Sequence, residues 1–256
     1  MKHRQLKTGS QKPSRIHAIR RVTAAVIAWP LWQSWRQFLT VNRSFIIFIA
    51  LMSVFRSACA DWYSVPTGSM QPTIAIGDRI TVNKMAYDLR LPFSSQVLLR
   101  LGEPQRGDII VFDSEAAENR LIKRVVGVPG DKIAMRHEVV YLNGQPLHYS
   151  LASEPSVVMD AVEQLGDVAH RIAIDQTQPP QLANFADITV PADFYLVLGD
   201  NRRNSADSRV YGLVPRHEVR GKATYVAFSL DYDKLYLPRT ERFARNLYTM
   251  HPSTAD

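Results

Sequence analysis

The chain has 256 residues, 46% of them hydrophobic and 21% charged, and one cysteine. This composition supports a hydrophobic core and excludes a wholly disordered chain or one held by an internal disulfide. The formal net charge is +7, but residues 1–43 hold nine of the 31 basic residues and no acidic residue, which leaves 22 basic against 24 acidic residues beyond them. The folded part therefore lacks the basic excess of a nucleic-acid-binding protein, and residues 1–43 are predicted to be a basic cytoplasmic tail.

Within this tail, residues 22–35 form a short apolar stretch. Trp29, Trp32 and Trp35 recur at every third position, and Pro30 interrupts the stretch. Tryptophans on one helical face are typical of membrane–water interfaces, so an interfacial helix is predicted here rather than a span.

Residues 44–63 (SFIIFIALMSVFRSACADWY) are predicted to be a single transmembrane anchor. Twenty helical residues cover about 30 Å, which is the thickness of a bilayer core. The basic leader places the N-terminus in the cytoplasm, and Trp62 and Tyr63 suit the outer interface. Arg56 is costly inside a span unless it reaches the headgroups. A removable signal peptide cut near Ala60 is the alternative, although the long basic leader and Arg56 argue against it.

Beyond residue 64 the pattern changes to short β-branched and aliphatic runs, as at 79–82, 108–112 and 193–199. Asn143-Gly144 between two such runs predicts a hairpin. We therefore expect a mainly β catalytic domain. Its predicted core covers 64–149 and 191–232, with a small inserted excursion at 150–190 and a C-terminal tail at 233–256.

Residues 85–101 (MAYDLRLPFSSQVLLRL) are apolar without a clear period. They are consistent with ordinary loop and core, or with an edge of the domain that faces the membrane.

Ser69 is the candidate nucleophile. It lies in SVPTGSMQPT, where Pro66, Gly68 and Pro72 favour a rigid turn that can expose a hydroxyl. Most serines in such turns are structural, so the assignment depends on finding a base to activate this one.

Lys123 is the candidate base. In a strand LIKRVVG its side chain would share a face with Leu121 and Val125, which is unusual for an ammonium group. Burial without a carboxylate partner favours the neutral amine and can lower a lysine pKa from about 10.4 to about 5 or 6. Such an amine could remove the proton of a serine hydroxyl, as in Ser-Lys variants of the catalytic triad.

Other polar groups give weaker signals. The histidines beyond the tail lack the setting of a triad partner and are predicted to lie at the surface. The run GDNRRNSADSR at 199–209 could be a solvated turn, and it lacks the glycine and glutamate of a calcium-binding loop. No metal or cofactor is expected.

Taken together, the segments TGSMQPT, IKRVVGVPGD and GDNRRNSADSR, in this order after an apolar anchor, resemble the type I signal peptidases of bacteria. The resemblance covers residues 44–229. It implies an all-β catalytic domain of bent antiparallel sheets, with Ser69 as nucleophile and Lys123 as general base.

The resemblance also implies roles for further side chains. Thr67 would contribute its hydroxyl to the oxyanion hole, Ser205 would orient the lysine amine by a hydrogen bond, and Asp207 and Arg209 would brace their loop as an ion pair. The residues that match shallow apolar substrate pockets are Val65, Ile74, Leu121 and Ile122. Arg203 departs from the family, which usually has an acidic residue at this position, so the charge pairing in this loop must differ.

By the same resemblance, the partners are the signal peptides of exported preproteins and the lipid bilayer, without nucleic acid. The chain would be a single-pass protein of the bacterial plasma (inner) membrane with its catalytic domain on the outer, periplasmic face. Its oligomeric state is not predicted, and although some family members have two spans, this chain offers only one convincing span. Two alternatives stay open: a related Ser-Lys peptidase dedicated to a pilin or conjugation-system substrate, and a catalytically silent, membrane-anchored binding module.

Overall fold

The computed structural model describes residue 32 and residues 34–94, 96–152 and 157–249. The chain divides into two compact units, residues 1–53 and 54–256. The described part of the first unit is helical, with α1 (Ser34–Val41) followed by the start of α2 (Arg43–Ala58). No single helix in the described residues is long and apolar enough to cross a bilayer. The α1 and α2 pair, bent by 69°, meets the length and composition requirements together.

The end of α2 is held by polar contacts. The Lys84 ammonium donates to the carbonyl oxygens of Arg56 and Ser57 at 3.1 and 3.3 Å, which satisfies acceptors that a helix C-terminus leaves open. The Arg56 guanidinium lies 2.9 Å from Asp61 and 4.6 Å above the ring of Trp62. The helix therefore ends at Ala58, and the last residues of the predicted anchor (44–63) instead begin strand β1, which pairs with β2.

The second unit is built mainly from antiparallel strands. Their bounds are β1 (Ala60–Ser64), β2 (Asp78–Asn83), β3 (Asp88–Arg90), β4 (Val97–Arg100), β5 (Ile109–Ser114), β6 (Asn119–Gly127), β7 (Lys132–Arg136), β8 (Val139–Leu142), β9 (Gln145–Pro146), β10 (His148–Leu151), β11 (Val158–Leu165), β12 (Val168–Asp175), β13 (Phe185–Thr189), β14 (Phe194–Leu198), β15 (Val214–Pro215), β16 (Val219–Asp231), β17 (Leu237–Pro238) and β18 (Arg245–Asn246). A short helix, α3 (Ser208–Tyr211), precedes β15.

The main sheet has the order β1-β2-β16-β5-β6-β14-β15, and β17 and β18 also pair with β16. The pairings of β16 with β2 and β5 contain register shifts. Such irregularities increase local bending and twist. One face of the sheet buries a cluster with fully enclosed Ile80, Ile109 and Val226. The prediction of a mainly β protein with antiparallel sheets is confirmed.

The predicted hairpin is also present. Leu142 pairs with Gln145 across a two-residue connection, and Asn143 and Gly144 have φ values of 53° and 85°. Positive φ at both central residues is what a type I′ turn requires, and asparagine and glycine adopt it at low cost.

Residues 150–190 are more regular than the sequence indicated. Strands β10, β11 and β12 form a three-stranded sheet, and β13 pairs with β7. Strand β11 buries Ala161, Glu163 and Leu165 on one face. The charged residue at the middle buried position hides the alternation of apolar and polar residues that would have predicted this strand.

The segment expected as a C-terminal tail packs on the main sheet up to Thr249. Strands β17 and β18 pair with β16, and Leu247 is buried in the core. The Tyr248 hydroxyl donates to Ala223 O at 3.0 Å and accepts from Ile109 N–H at 3.0 Å.

Residues 85–101 include strands β3 and β4, which pair as a two-stranded sheet. All four residues of β4 are exposed, and Leu91, Phe93 and Leu101 are exposed beside it. One edge of the segment is therefore exposed and apolar, whereas Tyr87, Asp88 and Arg90 within it are buried.

Candidate active site

Ser69 lies in the loop between β1 and β2, and buried neighbours fix this loop. Val65 N–H donates to Asp78 O at 3.0 Å, and Ile74 N–H donates to Met70 O at 2.9 Å. Val65, Met70 and Ile74 are all buried in the main core cluster. Their burial holds both ends of the loop while Ser69 itself stays half-buried.

Lys123 reaches Ser69 from strand β6. It pairs with Ile110 of β5, and its side chain is buried with 3% exposure. Lys123 Nζ lies 2.8 Å from Ser69 Oγ and 3.0 Å from Ile122 O. No carboxylate forms a salt bridge with this amine among the described residues, so the serine hydroxyl is its main polar side-chain partner.

Burial lowers the pKa of Lys123 to about 8, because desolvation penalises the ammonium form, and Arg209 adds to the shift. The charges of Asp207 and Asp200 oppose the shift. The lowering expected from the sequence was therefore too large, because these carboxylates come near Lys123 only in the folded chain. An amine with this pKa is partly neutral near pH 8 and can accept a proton.

Ser205 lies beside the nucleophile, but its hydroxyl donates to Asp207 Oδ2 at 2.8 Å. The expected hydrogen bond to the lysine amine is not formed among the described residues, because the carboxylate is the stronger acceptor. Gly199 permits this approach: a Cβ atom there would lie 2.1 Å from Ser205 Oγ and 2.5 Å from Ser69 O.

Asp207 and Arg209 form a two-point ion pair. Arg209 Nε donates to Asp207 Oδ1 at 2.8 Å, and Arg209 Nη2 donates to Oδ2 at 2.7 Å. Arg209 Nη2 also donates to Arg202 O at 2.7 Å, and Asp207 Oδ2 accepts from Gly199 N–H at 2.9 Å. The pair thus ties together the two ends of the 199–209 loop.

Arg124, Asp200 and Asn201 support the site, although sequence reasoning assigned them no role. Arg124 donates to both carboxylate oxygens of Asp200 at 2.8 and 2.7 Å, and both side chains are buried. Asn201 N–H donates to Ser69 O at 3.1 Å, and its side-chain amide donates to Gly68 O at 3.1 Å. Their positions in the sequence could have indicated this role, because Arg124 directly follows Lys123 in one motif, and Asp200 and Asn201 directly follow Gly199 in the other.

Thr67 is exposed on the rim of a groove that leads to Ser69. In the described chain, neither the Thr67 hydroxyl nor the Ser69 N–H donates to a protein acceptor. Two donors are therefore free to face an oxyanion that develops beside Ser69 Oγ.

The four pocket residues predicted from the resemblance all line this groove: Val65, Ile74, Leu121 and Ile122. Val65 and Ile74 are buried, and Ile122 packs against the same cluster. Leu121 packs against the cluster on the opposite face, and only part of it reaches the groove. Tyr63 and Arg120 close one side, with the Arg120 guanidinium carbon 4.6 Å from the Tyr63 ring centroid.

Arg203, the departure from the family pattern, points away from this centre. Its guanidinium pairs with Glu138 and donates to Gln178 O at 3.0 Å. Arg203 therefore forms its ion pair with the turn between β7 and β8, where Glu138 has a φ of 69°.

The acidic residues of the 199–209 loop are not arranged for a metal ion, because Asp200 and Asp207 each bind an arginine. Away from the groove, Glu115, His217 and Glu218 each bring one ligand atom within 4.8 Å of the others. Two of these three side chains are exposed, and none of them contacts Ser69 or Lys123.

The expectation of surface histidines is wrong for His170, which is 5% exposed. Its Nε2 lies 3.3 Å from Glu163 and 3.9 Å from Asp200. Burial and the nearby Arg124 lower the pKa of His170, so the imidazole is neutral at physiological pH.

Comparison with known proteins relates the sequence of this chain to one family. Residues 37–228 match the model of the family described as signal peptidase, peptidase S26. The signal peptidase I of Pseudomonas aeruginosa is 36% identical over 204 residues, covering 73% of this chain and 72% of that protein. The signal peptidase I of Pseudomonas fluorescens is 36% identical over 218 residues, covering 78% and 76%.

A crystal structure of a signal peptidase I from Enterococcus faecalis matches 47% of this chain and 97% of that chain, with 31% identity and a TM-score of 0.32. The family model spans three quarters of the sequence and includes Ser69, Lys123 and the 199–209 loop. The chain therefore belongs to the signal peptidase family, peptidase S26.

Proposed function

We propose that this protein is a membrane-bound serine endopeptidase that removes N-terminal signal peptides from exported preproteins after small residues. The observation that carries the proposal is the 2.8 Å contact between Ser69 Oγ and the buried Lys123 amine, which forms no salt bridge with any described carboxylate. Membership of the signal peptidase family supports the reaction class.

In the proposed mechanism, the neutral Lys123 amine accepts the proton of Ser69 as Oγ attacks the scissile carbonyl carbon. The oxyanion of the tetrahedral intermediate is stabilised by the Ser69 N–H and the Thr67 hydroxyl. The lysine then donates its proton to the leaving amine. In the second half of the reaction it accepts a proton from water as the water attacks the acyl carbon, and it returns this proton to Ser69 Oγ as the acyl bond breaks.

Ser205 is proposed to orient Lys123 as a hydrogen-bond acceptor, with its own hydroxyl held in place by Asp207. Its hydroxyl proton is directed to Asp207 Oδ2, which leaves the oxygen lone pairs able to accept a hydrogen bond from a protonated Lys123. Asp207 and Arg209 fix this hydroxyl in turn.

The substrate is proposed to lie along the groove beside β1 and β6, with a small side chain against Val65, Ile74 and Ile122. These aliphatic walls are already in contact with the core, so a large side chain would have to displace packed residues. This accounts for a preference for small residues at the cleavage site.

The membrane anchor is proposed to include α2, whose side chains from Phe45 to Phe55 are largely exposed and apolar. Arg56 lies in its last turn beside Trp62, which suits the headgroup region. The basic residues before α2 favour a cytoplasmic N-terminus and a catalytic unit on the outer face of the plasma membrane.

The test uses the purified full-length protein in detergent, with a preprotein that carries an Ala-x-Ala signal sequence. We expect wild type to release the mature protein and Ser69→Ala and Lys123→Ala to lower the rate at least about 10³-fold. Thr67→Val should cost about 10²-fold, and Thr67→Ser should retain most activity.

Far-ultraviolet circular dichroism of each variant serves as the folding control. A wild-type protein with no activity on any Ala-x-Ala substrate would favour the silent binding module. Activity restricted to one pilin-like substrate would favour the dedicated peptidase.

A further inference from the structure

The inserted hairpin of β11 and β12 contributes a fully buried carboxylate to the protein interior. Glu163 Oε1 accepts from Arg202 Nη2 at 2.6 Å, and Oε2 accepts from the Tyr149 hydroxyl at 2.6 Å. Glu163 is 0% exposed and Arg202 is 2% exposed. Burial alone would raise the pKa of Glu163, but the charge of the adjacent Arg202 guanidinium holds it below its usual range, so the carboxylate is ionised.

Arg202 connects this carboxylate to the loop that follows β14. Its backbone N–H donates to Ala173 O of β12 at 2.9 Å, and Ala173 N–H donates to Asp200 O at 2.9 Å. The hairpin therefore contacts residues 200–202 through an ion pair and two backbone hydrogen bonds.

The same three residues hold the nucleophile loop on their other side. Asn201 N–H donates to the carbonyl oxygen of Ser69, and its side chain donates to Gly68 O. Thr73 Oγ1 donates to Asp200 Oδ2 at 2.5 Å. A continuous series of short contacts thus runs from Glu163 to the backbone of Ser69.

We infer that the β11–β12 hairpin positions the nucleophile, with Glu163 acting through Arg202 and Asn201 on Ser69. The inference rests on the proposed function of Ser69. Glu163 touches neither the substrate groove nor Lys123, so it is a positioning residue. Proton transfer between Ser69 and Lys123 depends on their separation, and a misplacement of about 1 Å can lower a rate about 10²-fold.

The experiment compares Glu163→Gln with Glu138→Gln in the full-length protein, with kcat and KM measured on the preprotein substrate. Glu138 is the matched control because it pairs with Arg203, the neighbour of Arg202, on the side away from Ser69. We expect Glu163→Gln to lower kcat at least about 10-fold with KM changed less than about 2-fold, because only the reacting atoms are displaced. Glu138→Gln should keep kcat within about 3-fold of wild type.

Because Glu163→Gln leaves a buried arginine without its counter-ion, Glu163→Asp is measured beside it. The aspartate keeps the charge but is shorter by one methylene, so it should fold and still show a several-fold lower kcat. Wild-type kcat in a folded Glu163→Asp or Glu163→Gln protein would overturn the inference. This outcome would leave the proposed function intact as long as wild type and Glu138→Gln are both active.

A double-mutant cycle adds a readout that general destabilisation would not produce. If Glu163 acts only through Arg202, then Glu163→Gln combined with Arg202→Gln should lower kcat no further than the stronger single variant. Losses in kcat that multiply in the double variant would show two independent effects and would contradict the proposed route.

Discussion

Arg124 and Asp200 form a buried two-point ion pair directly behind the Ser69–Lys123 contact. Arg124 follows Lys123 in β6, and Asp200 precedes the asparagine that binds the Ser69 carbonyl. The pair fixes the base strand and the nucleophile loop relative to one another. Because both side chains are at most 1% exposed, neither charge can be hydrated if its partner is lost.

Removing one member of this pair should therefore destabilise the protein more than removing both. We expect Asp200→Ala to lower the free energy of unfolding by about 3–5 kcal/mol, because it leaves Arg124 buried and unpaired. The double variant Arg124→Met, Asp200→Leu should recover at least half of that loss. Urea unfolding of the three proteins measures the difference, and a double variant less stable than Asp200→Ala would contradict this account.

Replacing the base with an apolar residue of similar size should make the fold more stable. Burial lowers the pKa of Lys123 from 10.5 to about 8. The folded pKa lies below the unfolded value, so the buried ammonium costs stability below pH 8, and the cost disappears as the pH rises towards 10.5. This penalty corresponds to about 3 kcal/mol at pH 7.

We therefore expect inactive Lys123→Met to be more stable than wild type by about 1–3 kcal/mol at pH 7. The gain should shrink as the pH approaches 10. Thermal unfolding of both proteins across this pH range tests the prediction. Lys234→Met, at an exposed lysine just after β16, provides the control for loss of a positive charge.

The same pKa predicts the pH dependence of activity. Only the neutral amine can accept the serine proton, so kcat/KM should rise with pH through a midpoint near 8 and level off above it. Steady-state rates between pH 6 and 10 on one preprotein give the profile. A flat profile, or a rate that still rises about tenfold per pH unit up to pH 10 as for an unshifted lysine, would rule out Lys123 as the base.

The contact between Arg120 and Tyr63 should restrict the groove. The guanidinium is held over the ring and also donates to Asp113 Oδ1 at 2.6 Å. Along β6, Arg120 lies two residues from Ile122, so both face the same side of an extended substrate. Its side chain should meet the substrate residue two positions from the one against Ile122.

We expect Arg120→Ala to admit larger side chains at that substrate position, with KM for a leucine-containing peptide falling about 3- to 10-fold. The rate on an all-alanine signal should stay near wild type. Competition between peptides that differ only at this position provides the measurement. If the preference for alanine over leucine at this position is unchanged, then Arg120 does not limit the size of the substrate side chain there.

Sequence alone determined that the second unit is mainly β and predicted that Ser69 and Lys123 act together, and the structure brings these two side chains into contact. Alternating β-branched runs and the Asn143-Gly144 turn are local signals, since each depends on residues that are neighbours in the chain. Lys123 was singled out because an ammonium group on an apolar strand face is unusual, whereas Ser69 was singled out by the order of the three motifs, which indicated the family.

Only the tertiary structure decided how far the amine pKa falls, where the Ser205 proton is directed, and what holds the nucleophile loop. The amine pKa and the position of the nucleophile loop depend on groups far apart in the chain: Asp200 and Asp207 act on Lys123, and Glu163 pairs with Arg202, 39 positions away. A buried charge such as Glu163 also interrupts the apolar pattern of its own strand. Contacts distant in sequence leave no periodic signal, because their energy arises when burial removes water from both partners.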